Sequence, residues 1–270
     1  MVAKKQFLSA IVLTKNSKDT IEDCLASIAW VDEIVVVDNG SEDETVDLAK
    51  RLKAKVIGNT KGSFSDRRNI GAKEAKGVWL LYIDADEQVT PALKKEILSQ
   101  ITNHKSPITA FAIPRRNFLL GHRMRYGGWW PDYVLRLIRK NSLIEWKGEL
   151  HEQPVIKGLP AGRQGGVGKL KNPLIHNTHR NLSSMVEKTN EWSEIEAKLM
   201  YGANHPKMNI VRFFTAMFRE FWHRGVKEKG FLDGPIGVIE IIYQVFSRFV
   251  SYAKLWELQI TEHRTPITEH

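Results

Sequence analysis

Residues Val78–Glu87 read VWLLYIDADE, an apolar run that leads straight into Asp84-Ala85-Asp86. An apolar run of this kind predicts a strand buried on both faces, as in parallel sheets covered by helices. Two carboxylates at i and i+2 around a small residue then crowd one edge of that sheet. Hard divalent cations such as Mg²⁺ and Mn²⁺ take oxygen ligands, often one or two carboxylates together with nucleotide phosphates. The triplet is common by chance. Its place at the end of a buried strand, well beyond a βαβ opening, gives it weight and points to diphosphate chemistry.

The residues before it alternate between two periodicities. Phe7–Leu13 is apolar and β-branched, a first strand, and Lys18–Ile28 carries Ile21, Leu25 and Ile28 on one helical face. Glu33–Asp38 is a second buried strand, Asp43–Leu52 a helix, Ala54–Ile57 a third strand, Ser65–Ala75 a helix and Val78–Ile83 the fourth strand. This alternation predicts an α/β fold with a Rossmann-like, mostly parallel sheet and helices on both faces. Such sheets bind ligands at the carboxyl ends of their strands. Three polar clusters fall at those ends: Thr14-Lys15-Asn16, Asp38-Asn39-Gly40-Ser41 and Asp84-Ala85-Asp86.

Pro91–Ile101 reads as a helix opened by Thr90, Thr109–Pro114 as a strand, and Arg115–Trp130 as a basic, aromatic loop. Tyr133–Arg139 and Leu143–Trp146 read as strands, and Leu159–Gly168 as a glycine-rich loop. From Asn181 the pattern is helical, which divides the chain into a domain over 1–180 and a helical extension over 181–270. Phe213, Phe214, Met217, Phe218, Phe221 and Trp222 form one apolar stripe, and a second runs from Val238 to Val250, with Arg and Lys interspersed. Such stripes suit a membrane interface, and equally a helical hairpin packed on the catalytic domain or on a second copy of the chain.

The net charge is +9, and residues 101–270 carry all of the excess, 25 Lys and Arg against 15 Asp and Glu. That half suits an anionic partner: a phosphorylated substrate, an acidic membrane surface or nucleic acid. Cys24 is the single cysteine, so no internal disulfide forms and a reducing compartment is favoured. The apolar stretch at Phe7–Leu13 is short and runs into Thr14-Lys15-Asn16, which reads as a strand and not as a signal peptide. Uninterrupted apolar runs fall short of the roughly 18 residues of a membrane span.

The segments IVLTKNSKDTIEDCLASI, EIVVVDNGSEDETVDLA, FSDRRNIGAKEAKGVWLLYIDADE and GGWWPDYVLRLIRK…GELHEQP together resemble family 2 glycosyltransferases of GT-A fold. The branch containing lipopolysaccharide-core β-1,4-glucosyltransferases is the most similar in pattern, and the likeness extends to KGFLDGPIGVIEIIYQVFSRFVSYAKLWE. The resemblance implies an inverting, metal-dependent transfer of a hexose, glucose by analogy with that branch. The donor would be a UDP-sugar and the acceptor a saccharide or lipid-linked molecule. The work would be done in the cytoplasm or at the inner face of the membrane.

It also implies residue roles. Thr14, Asn16 and Asp38 would line the nucleotide pocket. Asp38 would accept from uracil, although Asp38-Asn39-Gly40-Ser41 is equally good turn chemistry. Arg67 and Asn69 would face the nucleotide-sugar, with Arg68 pointing elsewhere. Asp86 would ligate Mn²⁺ or Mg²⁺ directly, Asp84 would reach the ribose or a metal-bound water, and the late His176 would be a further metal or diphosphate contact. Glu152 would be the base, with Asp132 as second choice, and Trp129, Trp130 and His151 would meet the acceptor. The alternatives are a nucleotidyltransferase, disfavoured because no glycine follows the first strand, and a non-catalytic binder of anionic polymers. No nucleic-acid module is visible, and Arg115, Arg116, His122, Arg123 and Arg125 suit a phosphorylated acceptor.

Overall fold

A computed structural model describes residues 7–103, 106–150, 152–158 and 167–261. The chain forms two compact units, Met1–Arg116 with Pro131–Asn177, and Asn117–Trp130 with Thr178–His270.

In the first unit, β1 (Leu8–Thr14), α1 (Ile21–Ser27), β2 (Glu33–Asp38), α2 (Thr45–Arg51), β3 (Lys55–Gly58), α3 (Phe64–Glu74) and β4 (Trp79–Asp84) follow the expected alternation. The strands lie in the order β3-β2-β1-β4 and run parallel. Side chains alternate between faces. Val12, Val36, Leu81 and Ile83 pack with Ile21 and Leu25 of α1, whereas Ile11, Val35, Val37 and Tyr82 pack with Phe64 and Ala72 of α3. A capping box between Ser63 and Asp66 starts α3. Gly71 lets that helix lie close on β1, because a Cβ there would stand 2.4 Å from the Ile11 side chain. Strand order reverses between β1 and β4, the place where open α/β sheets bind ligands. Thr14 is in register with Asp38, and Leu13 with Asp84, so the three polar clusters share this edge.

Beyond β4 the sheet departs from expectation. β5 (Glu87–Val89), α4 (Pro91–Thr102), β6 (Ala110–Leu119), β7 (His122–Arg123), β8 (Asp132–Arg139), β9 (Leu143–Lys147), β10 (Gln153–Ile156), β11 (Gly168–Lys169) and β12 (Leu174–His179) follow. The order continues β4-β8-β6-β12-β5, with β8 antiparallel to both β4 and β6, and β12 antiparallel to β5. The sheet is therefore mixed, not mostly parallel. No helix joins β6 to β8, and neighbouring strands connected without a helical crossover pair antiparallel. Strand β6 also runs five residues past Pro114, because buried Asn117 and Leu119 continue its period of two.

The second unit contains α5 (Leu182–Gly202), α6 (Ile210–Phe221) and α7 (Gly234–Thr261). Asn181 and Asn209 cap the first two by accepting from the N–H of Ser184 and Arg212. Helix α6 runs on as a π-helical turn, Trp222–Lys227. The unit begins at Thr178 and takes in Asn117–Trp130, which differs from a simple cut at residue 180. The N–H groups of Arg125 and Tyr126 donate to the Asp233 carboxylate at 3.0 and 2.9 Å, and Arg224 donates to the Gly127 carbonyl at 3.1 Å. The segment Gly230–Thr261 is, by length and composition only, long and apolar enough to cross a membrane. Several of its polar groups are nevertheless engaged within the unit: Arg248 pairs with Glu196 at 2.9 Å, Ser251 donates to Glu196, and Tyr243 bonds Thr189 and Met185.

Glu240 of α7 is 2% exposed, and its Oε2 has no hydrogen-bond partner among the described residues. Burial pushes its carboxyl up to about 7, against the opposing effects of Gln244, Arg224 and Trp129. The folded state thus binds this proton more tightly than the unfolded chain, so its stabilising effect is present below the ordinary carboxyl range and is lost as pH rises through about 7. Glu240→Gln removes that loss, which is on the order of 3 kcal/mol. Thermal melts of the variant and the parent are expected to differ most near pH 8 and to converge toward pH 5; parallel melting curves across that range would contradict it.

Candidate active site

The carboxyl end of β4 meets a chain of alternating charges. Glu152 Oε1 accepts from Arg68 Nε at 2.8 Å, and Arg68 Nη2 reaches Asp84 Oδ1 at 2.9 Å. Arg136 Nη2 then bonds Asp84 Oδ2 and, at 2.6 Å, Glu87 Oε1. Arg115 lies 3.7 Å from Glu87 and 2.7 Å from Asp132. Four carboxylates are thus threaded on three guanidinium groups. Burial would raise the Asp84 carboxyl, but the charges of Arg136 and then Arg68 outweigh it and hold the group well below the usual carboxylate range. Burial likewise opposes the charge of Arg136, and Asp84 and Glu87 overcome it. Glu87, fully buried, accepts from the Asp84 N–H at 3.0 Å and so fixes the turn that carries Asp86.

Helix α3 supplies the arginines differently from expectation. Arg68, expected to point elsewhere, is the residue that enters the charge chain, with its guanidinium 4.9 Å from the Trp146 ring centroid. Its Nη1 is buried without an acceptor among the described residues. Arg67 donates to Asn39 Oδ1 at 3.1 Å and to the Gly62 carbonyl at 2.9 Å, which keeps it beside the β2 loop. Asn69, expected to face the nucleotide-sugar, holds β9. Its amide donates to the Trp146 carbonyl at 3.0 Å and accepts from the Trp146 N–H at 2.7 Å, so both ends are committed to β9.

Both oxygens of Asp84, expected at the ribose or a metal-bound water, face guanidinium groups. Asp86 and His176 do come together, with Nε2 of His176 at 3.4 Å from Asp86 Oδ2. Pairing of β12 with β5 brings them there, since His176 is in register with Glu87. Among the described residues no group of three or more His, Cys, Asp or Glu side chains forms a metal cage. A carboxylate plus an imidazole nevertheless suits a cation whose remaining ligands are diphosphate oxygens and water. Cys24 lies nearby, its Sγ 3.5 Å from the Asp84 carbonyl. Burial, and then the charges of Glu87, Asp86 and Asp84, push that thiol well up, so it is inert.

At the ends of β1 and β2 the three expected nucleotide residues divide. Thr14 Oγ1 is buried and without a hydrogen-bond partner among the described residues. Asn16 instead accepts from the Glu42 N–H at 2.8 Å and braces the β2 loop. Asp38 Oδ2 accepts from the N–H groups of Gly40 and Ser41, both at 2.9 Å, and Oδ1 accepts from the Ser41 hydroxyl. The turn reading of Asp38 is therefore realised, with one acceptor position on Oδ1 remaining of the roughly four a carboxylate offers.

Trp129 and Trp130 belong to the second unit. Trp129 packs beside Leu119, Met124 and Met185, whereas Trp130 is exposed with Arg123 over its ring. His151 lies outside the described residues, as does most of the glycine-rich loop. Arg136 and Glu87 escape the sequence reading of the site, which points Arg68 elsewhere and assigns Arg115 to a basic acceptor loop. The available signal was charge inside an apolar strand, Arg136 within YVLRLIR, together with Glu87 directly after the aspartate pair.

The sequence model described as Glycosyl transferase family 2 matches residues 9–153. An uncharacterized glycosyltransferase of Rickettsia typhi is 26% identical over 94% of this chain and 88% of its own length. The lipopolysaccharide core biosynthesis glycosyltransferase LpsC of Rhizobium meliloti is 24% identical over 97% of this chain and 96% of its own. Among solved structures, TarS 1–349 of S. aureus aligns at a TM-score of 0.45 with 16% identity, covering 97% of this chain and 93% of that one.

Removing Arg68 leaves two carboxylates facing each other without their shared cation. Arg68→Ala is expected to cost roughly 3 kcal/mol in urea unfolding. Asn69→Ala, which forfeits two bonds to β9, is expected to cost about 2 kcal/mol while leaving nucleotide affinity of the folded protein unchanged. A parent-like unfolding midpoint for Arg68→Ala would remove the charge chain from the account of the site.

Proposed function

The chain belongs to glycosyl transferase family 2 and is a glycosyltransferase of GT-A type, and from that premise we propose that it moves a hexose from a UDP-sugar to a saccharide or lipid-linked acceptor in lipopolysaccharide or related surface-polysaccharide synthesis. Membership sets aside the nucleotidyltransferase and the non-catalytic binder. The observation that carries the reading is that one guanidinium, Arg68, holds Glu152 at 2.8 Å and Asp84 at 2.9 Å at the point where strand order reverses. Charge for a diphosphate and a carboxylate for an acceptor hydroxyl are thereby brought to one edge. The name of LpsC supports the choice of acceptor class. A single cysteine, with no internal disulfide possible, and a nucleotide-sugar donor support a reaction in the cytoplasm.

In this reading Thr14 Oγ1 and the remaining acceptor position of Asp38 meet the nucleoside, and Arg67 stands beside them. Arg68 and Arg136 present planar forks of donors suited to phosphate oxygens. Asp86 and His176 would hold Mn²⁺ or Mg²⁺, which, when bound, neutralises charge on the departing UDP. Glu152 accepts from Arg68 through Oε1, and among the described residues its Oε2 has no partner. That oxygen takes the proton of the acceptor hydroxyl as it attacks the anomeric carbon and the bond to UDP breaks. A single displacement inverts the anomeric centre. Asp132 is the weaker choice, because Arg115 binds one of its oxygens through both Nε and Nη2.

Calorimetric titration with UDP, using GDP and CDP as controls, tests the donor. UDP is expected to bind with Mn²⁺ present and about tenfold or more weakly without it, or in Asp86→Ala. Glu152→Gln is expected to keep UDP affinity while lowering transfer by about 10²–10⁴. Folded protein that binds no nucleotide under either condition would sink the donor assignment. Full transfer by Glu152→Gln would move the base to another residue.

A further inference from the structure

Helix α6 is apolar around more of its circumference than its packing uses. Ala216 is buried, with Phe213 and Met217 half-buried beside it against α7. A separate stripe faces solvent: Val211, Phe214, Phe218 and Trp222, at i, i+3, i+7 and i+11, are 65%, 71%, 63% and 52% exposed. Ile210 and Phe221 flank it, both exposed. Soluble proteins rarely leave contiguous large apolar side chains in water unless something covers them.

The charge beside the stripe says what covers it. Arg212 and Arg219, two turns apart, lie along one border, and Lys227 and Lys229 follow beyond the π-helical turn, all exposed. Glu220 pairs with Arg224 at 2.7 Å, which leaves Glu228 alone against Lys227 and Lys229. An exposed aromatic stripe with an uncompensated basic border matches an anionic bilayer surface, where rings enter the headgroup region and cations meet lipid phosphates. A second copy fits less well, since a two-fold contact through this stripe would bring the basic borders of both copies to one interface.

We propose that the 210–222 face of α6 is a membrane-docking surface that lies in the plane of an anionic bilayer, with Phe214, Phe218 and Trp222 as its inserted residues and Arg212 and Arg219 as its electrostatic contacts. The placement concerns the second unit alone and does not depend on which sugar is transferred.

Flotation of the full chain tests it, using vesicles of phosphatidylcholine alone and vesicles with about one-third phosphatidylglycerol. The protein is expected to float with the anionic vesicles, and less so as salt rises. Phe214→Ser with Phe218→Ser is expected to weaken that binding about tenfold or more while leaving the thermal melt unchanged, because both rings are already outside the core. Arg212→Ser with Arg219→Ser is expected to abolish the preference for anionic over neutral vesicles. The proposal is overturned if the parent protein stays with the unbound fraction at low salt, or if the phenylalanine variant floats like the parent. It is also overturned if light scattering finds a dimer that the phenylalanine substitutions dissolve, which would assign the face to a second copy.

Discussion

The double pairing of Arg68 is the interaction on which the rest of the site depends. A guanidinium this deeply buried persists only where carboxylates and aromatic faces replace its water. Asp84, Glu152 and the Trp146 ring do so here. Those partners come from β4, the residue before β10, and β9, so one side chain of α3 ties three separate segments together. Gly71, one turn further along, makes this reach possible by allowing α3 to settle against β1. Substitution at either position is therefore felt at the other.

The same network gives the site an electrostatic bias. Four carboxylates share three guanidinium groups, so the chain carries one excess negative charge, and Asp86 adds another beside it. An anionic diphosphate entering alone would meet that excess. In the proposed reading a diphosphate that enters with a divalent cation would bring charge of both signs, the cation for Asp86 and the phosphates for the arginines.

How much of this was legible in the sequence follows from which forces act locally. β1 to β4 are near-continuous apolar runs, buried on both faces, and their periodicity alone located them. β5 and β12 are short, and their place comes from pairing with each other across nearly ninety residues, as when His176 meets Glu87. No local pattern carries that. The choice between Arg67 and Arg68 turns on a rotation of about 100° around a helix, and both residues are buried, so composition offered no preference. Asn69 had a polar side chain on the expected helix, yet the backbone of Trp146 claimed it. Its partner lies 77 residues away and could be named only once β9 was placed.

The second unit illustrates a limit of reading one apolar stripe as one buried face. A surface helix in water needs apolar residues over about a third of its circumference. In α6 the side toward α7 is already filled by Phe213, Ala216 and Met217. The rings of Phe214, Phe218 and Trp222 lie on an adjoining face and add nothing to the stability of the bundle. From sequence the two faces merge into a single stripe, and a hairpin accounts for all of it. Only the packing separates the residues that the fold consumes from those it leaves over, and the leftover face with its arginine border is what requires a second environment besides water.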